Sequence, residues 1–496
     1  MQKFFPLVLV LFLLGCTQIS PRVPTLLPLS QTTPLATATA FRAPPTRTAT
    51  VIRATATLVV PPATPTIFPT PFAGELQIVP RANFAASCDF DFAELDAEGF
   101  EQLAYVPTGD CLNGELGLFQ IRDKTYIAQS GLFGAAFTIT DVTNPSVPQI
   151  IGIWDWQPQG ATLDLKTFKQ GERRFLAMGL QRGRQGEEAA FPCGIGIVEV
   201  TNVRAPKFIT RIDGRTASPD SVTPQGDAVR GNTVGAPEPW CNVHSLEIDT
   251  DEQGNATFFI VSDVDTYSAR AVDIRDLENP RETNSFHLHA HPHTAPNRPV
   301  LNYVHDSFVA PDKIYLANWL AGVVILDKQK FERGEPQEAT IIKPTEKVAP
   351  GGFHVHYVAP IANGDFIFVE DELNADNGLR LLDIRDPRNP KTLWTETNEG
   401  GVNAPHNFVI RDNLLFVGWY NDGIKVFEFD VSDPNNASVK QVAFQKVRAS
   451  KIISRERYFD GVWGARVNDC TVKNVKRICV YASDMTKGLI VLALEE

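Results

Sequence analysis

Seven times along this chain a Gly-rich apolar run ends in an acidic or equivalent residue and then breaks at a turn, several times at Asn-Pro or Asp-Pro. Phe137-Thr138-Ile139-Thr140-Asp141 leads into Asn144-Pro145, and Ala271-Val272-Asp273 into Asn279-Pro280. Leu379-Arg380-Leu381-Leu382-Asp383 leads into Asp386-Pro387, and Ile424-Lys425-Val426-Phe427-Glu428-Phe429-Asp430 into Asp433-Pro434. Short apolar runs closed by turn residues are strands. One such unit cannot bury its own apolar faces, so a repeat of roughly 40–50 residues must stack on its neighbours. The fold predicted is all-β, a seven-bladed β-propeller, and function is then to be sought on one face of a disc.

A blade holds four antiparallel strands, counted from the central channel outward. Blade one takes Leu118–Ile121, Thr125–Ala128, Ala136–Val142 and Gln149–Trp154; blade two starts near Leu163 and carries Ile195–Val200 as its third strand. Blades three to six open on His244–Ile248, His305–Val309, His356–Ala359 and His406–Ile410. Blade seven has Val462–Val467, Ile478–Ala482 and Leu489–Leu494 but lacks a fourth strand. Glu75–Val79 is expected to supply it, closing the ring and removing exposed strand edges.

Gly378 to Pro390, preceded by a His-led strand and an apolar second strand, resembles the repeat of the LVIVD-repeat propellers of bacterial surface proteins. Gly423 to Pro434 is near it, whereas Leu326-Asp327-Lys328 and Leu492-Ala493-Leu494 lack the proline. The resemblance covers most of residues 115–496. It implies a propeller and a surface location but no settled chemistry, because propellers host many functions.

The N-terminal region sets the expected compartment. Met1-Gln2-Lys3 is a basic start, and Phe4 to Leu14 is too short an apolar stretch to span a bilayer, so residues 1–15 read as a signal peptide. Leu13-Leu14-Gly15-Cys16 resembles the lipobox of bacterial lipoproteins, which implies acylation at Cys16 and attachment to a membrane, stable when two or more chains are added. Residues 16–73 are rich in Pro, Thr and Ala, a composition that buries too little to fold and stays extended. At about 3.1 Å per residue this stalk would reach on the order of 150 Å. Residues 74–496 then form the propeller. A net charge of −12 without a basic cluster excludes nucleic acid as the expected partner. A monomer is expected.

Six cysteines remain after Cys16. Cys470 and Cys479 flank a first hairpin, Cys193 and Cys241 precede strands on the other face, and Cys88 and Cys111 share the entry segment. The expected disulfides are therefore Cys88–Cys111, Cys193–Cys241 and Cys470–Cys479, as suits an oxidising compartment.

The histidines carry the strongest chemical signal. All nine fall at the start of an innermost strand or in the connection leading to one, hence on one face. His244, His305, His356 and His406 hold nearly equivalent positions on four successive blades, with His354 two residues before His356, and His287, His289, His291 and His293 in one connection. Two long insertions, Gln181–Cys193 and Asp213–Trp240, open on that face. Converging neutral imidazoles suit zinc, copper or iron, so one transition metal is the candidate cofactor. Glu247 and Asp306 are candidate carboxylates to orient the rings. The arrangement is similar in outline to methanethiol oxidases (selenium-binding proteins) and carotenoid oxygenases, propellers with axial metal-binding histidines. The alternative is structural, each ring bonding the neighbouring blade. Blades seven, one and two break the series, with Trp463, Leu116 and Thr162 near the corresponding places, leaving an arc.

No nucleophile elbow, phosphate loop or dinucleotide fingerprint is present. Asp141, Asp273 and Asp383 recur with the repeat and read as turn carboxylates. Trp319 and Trp419 end second strands and are candidates to edge a carbohydrate surface. Two functions follow: a membrane-anchored module binding an unidentified ligand or surface protein, or an extracytoplasmic metal-dependent redox enzyme centred on the His arc. No catalytic residue is assigned.

Overall fold

A computed structural model describes residues 77–80 and 96–495, apart from 109–112, 132–135, 158–160, 182–192, 215–216, 218–239, 289–302, 344–351, 398–403, 448–459 and positions 265, 287, 336 and 375. Cys16, the stalk, the Cys88–Cys111 pair, His287, His289, His291, His293 and most of both long insertions lie outside the described residues.

The strands form seven antiparallel sheets in sequence order, each starting at the channel. The innermost strands are Asn113–Ile121, Ala161–Gln170, Val243–Thr250, Asp306–Val309, Val355–Ile361, Phe408–Arg411 and Val462–Val472. This is the seven-bladed propeller predicted. Consecutive residues of a strand face opposite sides, and here both sides are neighbouring blades. In Phe366–Asp371, Phe366 and Phe368 pack toward blade six, while Ile367 and Val369 pack toward blade four. Strands buried on both faces therefore read as continuous apolar runs. Seven clusters of buried side chains result, each joining one blade to the next, the last joining blade seven to blade one.

The turn chemistry explains the repeat. The Thr143, Arg275 and Arg385 backbone N–H groups donate to the Oδ1 atoms of Asp141, Asp273 and Asp383 at 3.0–3.1 Å. A second such turn follows in each, on Asn144, Asp276 and Asp386. The glycine opening the repeat is equally constrained: Gly378 has φ +54°, and a Cβ there would meet the Glu396 carbonyl oxygen at 1.9 Å.

Ring closure differs from expectation. Gln77–Pro80 pairs with Gln149–Gln157 as a fifth strand of blade one, and the outer strand of blade seven is Phe100–Val106, antiparallel to Gly488–Leu494. Ala97–Glu98 adds to the edge of blade six, so the N-terminal segment binds the three blades at the seam. The reason is length and burial. Gly488–Leu494 is apolar on both faces and needs a partner of equal length; Phe100–Val106 matches it and buries Phe100 and Val106. A segment of four residues does not.

The Cys193–Cys241 and Cys470–Cys479 disulfides form, with Cα–Cα distances of 5.2 and 5.7 Å. They suit an oxidising, extracytoplasmic environment. Trp319 and Trp419 are 3% and 0% exposed and therefore edge no surface. Trp419 instead carries the Lys425 ammonium 4.0 Å above its ring.

Candidate functional site

Six of the seven innermost strands enter the channel through an irregularity at the same place. The register against the second strand skips one residue between Thr162 and Asp164, Val243 and Ser245, Val355 and Tyr357, and Val462 and Gly464. In blade six His406 donates its backbone N–H to Gly418 O while Gly418 donates to Asn407 O, so two residues again face one. A bulge of this kind re-aims a side chain. Leu163, His244, His356, His406 and Trp463 are thereby turned, alongside His305, onto one small cavity at the channel mouth, of ≈ 20 Å³, with room for a single water or ion. The residue of blade two at this level is Leu163, not Thr162, and in blade one the skip lies between Asn113 and Leu116 and brings Glu115 to the cavity. A skipped residue shifts alignment by one, which sequence spacing does not reveal.

The four imidazoles form a continuous arc. Ring centroids are 4.2 Å apart for His244 and His305, 4.1 Å for His305 and His356, and 4.4 Å for His356 and His406. Aromatic rings close its flanks: Trp319 stacks on His305 at 5.0 Å, and Trp463 lies 4.0 Å from His406. His354 does not line the cavity. It stands edge-on to Trp319 and 3.6 Å from Asp371.

Hydrogen bonds set the ring tautomers. His244 Nδ1 donates to Gln181 Oε1 at 2.8 Å, His356 Nδ1 to Glu370 Oε1 at 3.0 Å, and His406 Nδ1 to the Trp463 carbonyl at 2.6 Å. All three therefore turn an Nε2 lone pair inward. His244 Nε2 and His305 Nε2 are 2.8 Å apart, and His305 Nδ1 is buried with no partner among the described residues. Glu372 enters between the rings, 3.6 Å from His356 Nε2 and 3.9 Å from His406 Nε2, its own position fixed by the Tyr420 hydroxyl at 2.6 Å. Donor atoms of His305, His356 and Glu372 lie within 4.8 Å of one another.

Burial keeps the rings neutral. It pushes His244 and His406 down to about 4 and holds His305 and His356 well below the usual histidine range. The same desolvation pushes Glu372 up to about 7 and Glu370 well above the ordinary carboxylate value. His305, His356 and Glu372 bring donor atoms close enough to be a candidate set for a transition metal, with His244 and His406 at either end of the arc.

The two carboxylates expected to orient the rings do otherwise. Asp306 lines the cavity but accepts from its neighbour, the Ser307 N–H, and burial pushes it up to about 8. Glu247 sits deeper in the channel, accepting from Ile248 N–H and 3.8 Å from Lys166. Gln181, Glu370 and the Trp463 carbonyl take the orienting role. Glu370 and Glu372 had one sequence signal: Glu370-Asp371-Glu372 ends an apolar second strand, and Glu370 takes the register position held by Ser262 and Ser483 in blades three and seven. Below the arc a charged layer crosses the channel, with Arg466 3.2 Å from Glu115 and Lys166 3.3 Å from Asp164.

No family model and no curated protein matches the chain. Among solved structures it is similar to the β-propeller domain of Cps50 (Swd1) from Myceliophteria thermophila, at 11% identity and a TM-score of 0.45 over 80% of this chain and 100% of that one. It is also similar to the periplasmic gluconolactonase PpgL of Pseudomonas aeruginosa, at 15% identity and 0.42 over 67% and 85%. The WD40 β-propeller domain of Doa1 matches at 11% and 0.44 over 80% and 98%.

Proposed function

We propose that this chain is an extracytoplasmic propeller, held to a membrane by lipid at Cys16, whose channel mouth binds one transition metal through His305, His356 and Glu372, with His244 and His406 completing the donor set. The observation carrying this reading is the tautomer pattern. Three of the four rings spend Nδ1–H on a fixed oxygen and present Nε2 inward, which is how protein surroundings orient metal-binding imidazoles. Rings serving only to tie blades together have no need of a buried acid among them; here Glu372 lies 3.6 Å from His356 Nε2 and 3.9 Å from His406 Nε2.

Metal–nitrogen bonds of about 2.1 Å require donors roughly 3–4 Å apart, so the His305, His356 and Glu372 donors, within 4.8 Å of one another, draw together on binding. Zinc, copper and iron all accept such donors. The LVIVD-like repeats supply the scaffold, and the donor set suits redox or Lewis-acid chemistry on a small molecule. The alternative of a module docking by an apolar face has less support: among the described residues only Val147 and Val475 are large apolar side chains left exposed.

The test is metal content of protein purified without a His tag, then chelated and reloaded. The parent is expected to retain one zinc, copper or iron per chain. His356→Ala and Glu372→Gln should each weaken retention more than about tenfold. Metal-free parent that takes up none of the three sinks the proposal.

A further inference from the structure

We infer that the opposite mouth of the channel is a second binding site, for an organic carboxylate with a flat apolar body. The far halves of all seven innermost strands enclose a cavity of ≈ 680 Å³ there. That volume is within the range of small-molecule sites. The histidine arc lies at the N-terminal ends of these strands, with the Glu115, Asp164 and Asp306 layer between the two.

The cavity has two unlike walls. Blades four, five and six supply Phe308, Tyr357, Pro360, Phe408 and Ile410, with the Tyr357 and Phe408 rings 4.9 Å apart. This wall suits a planar apolar group. Blades two and seven supply the cations. Lys166, Lys169, Arg174 and Arg466 line the cavity against a single carboxylate there, Glu247, on a chain whose net charge is −12.

The four cations are not equally committed. Lys166 is taken by Asp164, and Arg466 by Glu115, both below the floor. Among the described residues neither Lys169 nor Arg174 has a carboxylate within ion-pair distance. Arg174 donates to the backbone carbonyls of Gln120, Gly171 and Arg173 and has no carboxylate partner among the described residues, while Lys169 attracts Asp251 only at longer range. A ligand laying an apolar ring on Phe308 and Phe408 and turning its carboxylate to Lys169 and Arg174 satisfies both walls. A neutral ligand leaves the cations unanswered, and an apolar anion without length to cross the cavity reaches only one wall.

The inference is independent of the metal and is tested on chelated full-length protein with 2-naphthoate, its neutral isostere 2-naphthamide serving as control. Calorimetric titration is expected to give saturable binding of one 2-naphthoate per chain, at least about tenfold tighter than 2-naphthamide and weakened severalfold by raising salt from about 50 to about 500 mM. The rim variant Lys169→Glu/Arg174→Glu, checked for an unchanged circular dichroism spectrum because Arg174 also bonds Gln120 of blade one, should lose affinity about tenfold or more. Phe308→Ala, checked for an unchanged circular dichroism spectrum, should weaken naphthoate and naphthamide alike. Absence of saturable binding, equal affinity for the amide, or indifference to the rim charge reversal each overturns the site.

Discussion

The seam of the ring offers the sharpest test of how this propeller is held shut. Gly488–Leu494 is buried along almost its whole length, and among the described residues its outer edge is covered by Phe100–Val106. Phe100 joins the cluster between blades six and seven, and Val106 the cluster between blades seven and one. Truncating a buried Phe to Ala costs about 3–5 kcal/mol, and Phe100, 7% exposed, belongs at the lower end. Val106→Ala adds roughly 1–2 kcal/mol for the lost methyl groups and the space they leave. The double variant should therefore lose about 5 kcal/mol, a fall in Tm on the order of 5–10 °C. Ile78→Ala/Val79→Ala, in the fifth strand of blade one, removes side chains only partly buried and should cost about 2 kcal/mol. Differential scanning calorimetry on both variants reads the difference directly. A chain starting at residue 107 should expose the apolar edge of Gly488–Leu494 and aggregate on heating, whereas one starting at residue 82 should not. Equal Tm losses for the two double variants would refute the assignment of Phe100–Val106 as the closing strand.

Two further outcomes are expected. In metal-free protein, burial holds His406 at about 4 against its ordinary 6.5. Between those values the unfolded chain binds a proton the folded one does not, so stability falls as pH drops through that window and is level above it. The loss is about 3 kcal/mol by pH 4, and urea midpoints against pH should show a shallower slope for His406→Gln; an unchanged slope removes His406 as a cause. Separately, Cys16→Ala should abolish incorporation of labelled fatty acid and release the protein from the membrane fraction, and label in the variant equal to the parent refutes lipidation at Cys16.

Much of this fold was legible because its strands are buried on both faces. Such strands show as continuous apolar runs, and Asp141, Asp273 and Asp383 mark their ends by bonding the backbone two residues on. The starts of blades three to six were readable from four histidines for the same reason: the bulge recurs at one place, so their spacing repeats. Blade one and blade two slipped by a residue because a bulge is a count of partners across a ladder, and the partner strand is invisible in a linear pattern. Glu370 and Glu372 went unremarked among acidic residues whose burial depends on what stacks against them.

What the sequence alone determined, then, is local and repetitive: seven units of continuous apolar strands, turn carboxylates at the ends of several, and a histidine carried by four successive copies. What only the tertiary structure decided is everything set by contacts distant in the chain. The seam is one case, since Phe100 meets Leu494 across nearly the whole propeller, and several short apolar segments compete for that edge until length and burial choose between them. The site is the other. A histidine's spacing predicts that it reaches the channel, but its tautomer depends on Gln181, Glu370 or the Trp463 carbonyl arriving from another strand, and its neutrality on the water that neighbouring blades exclude.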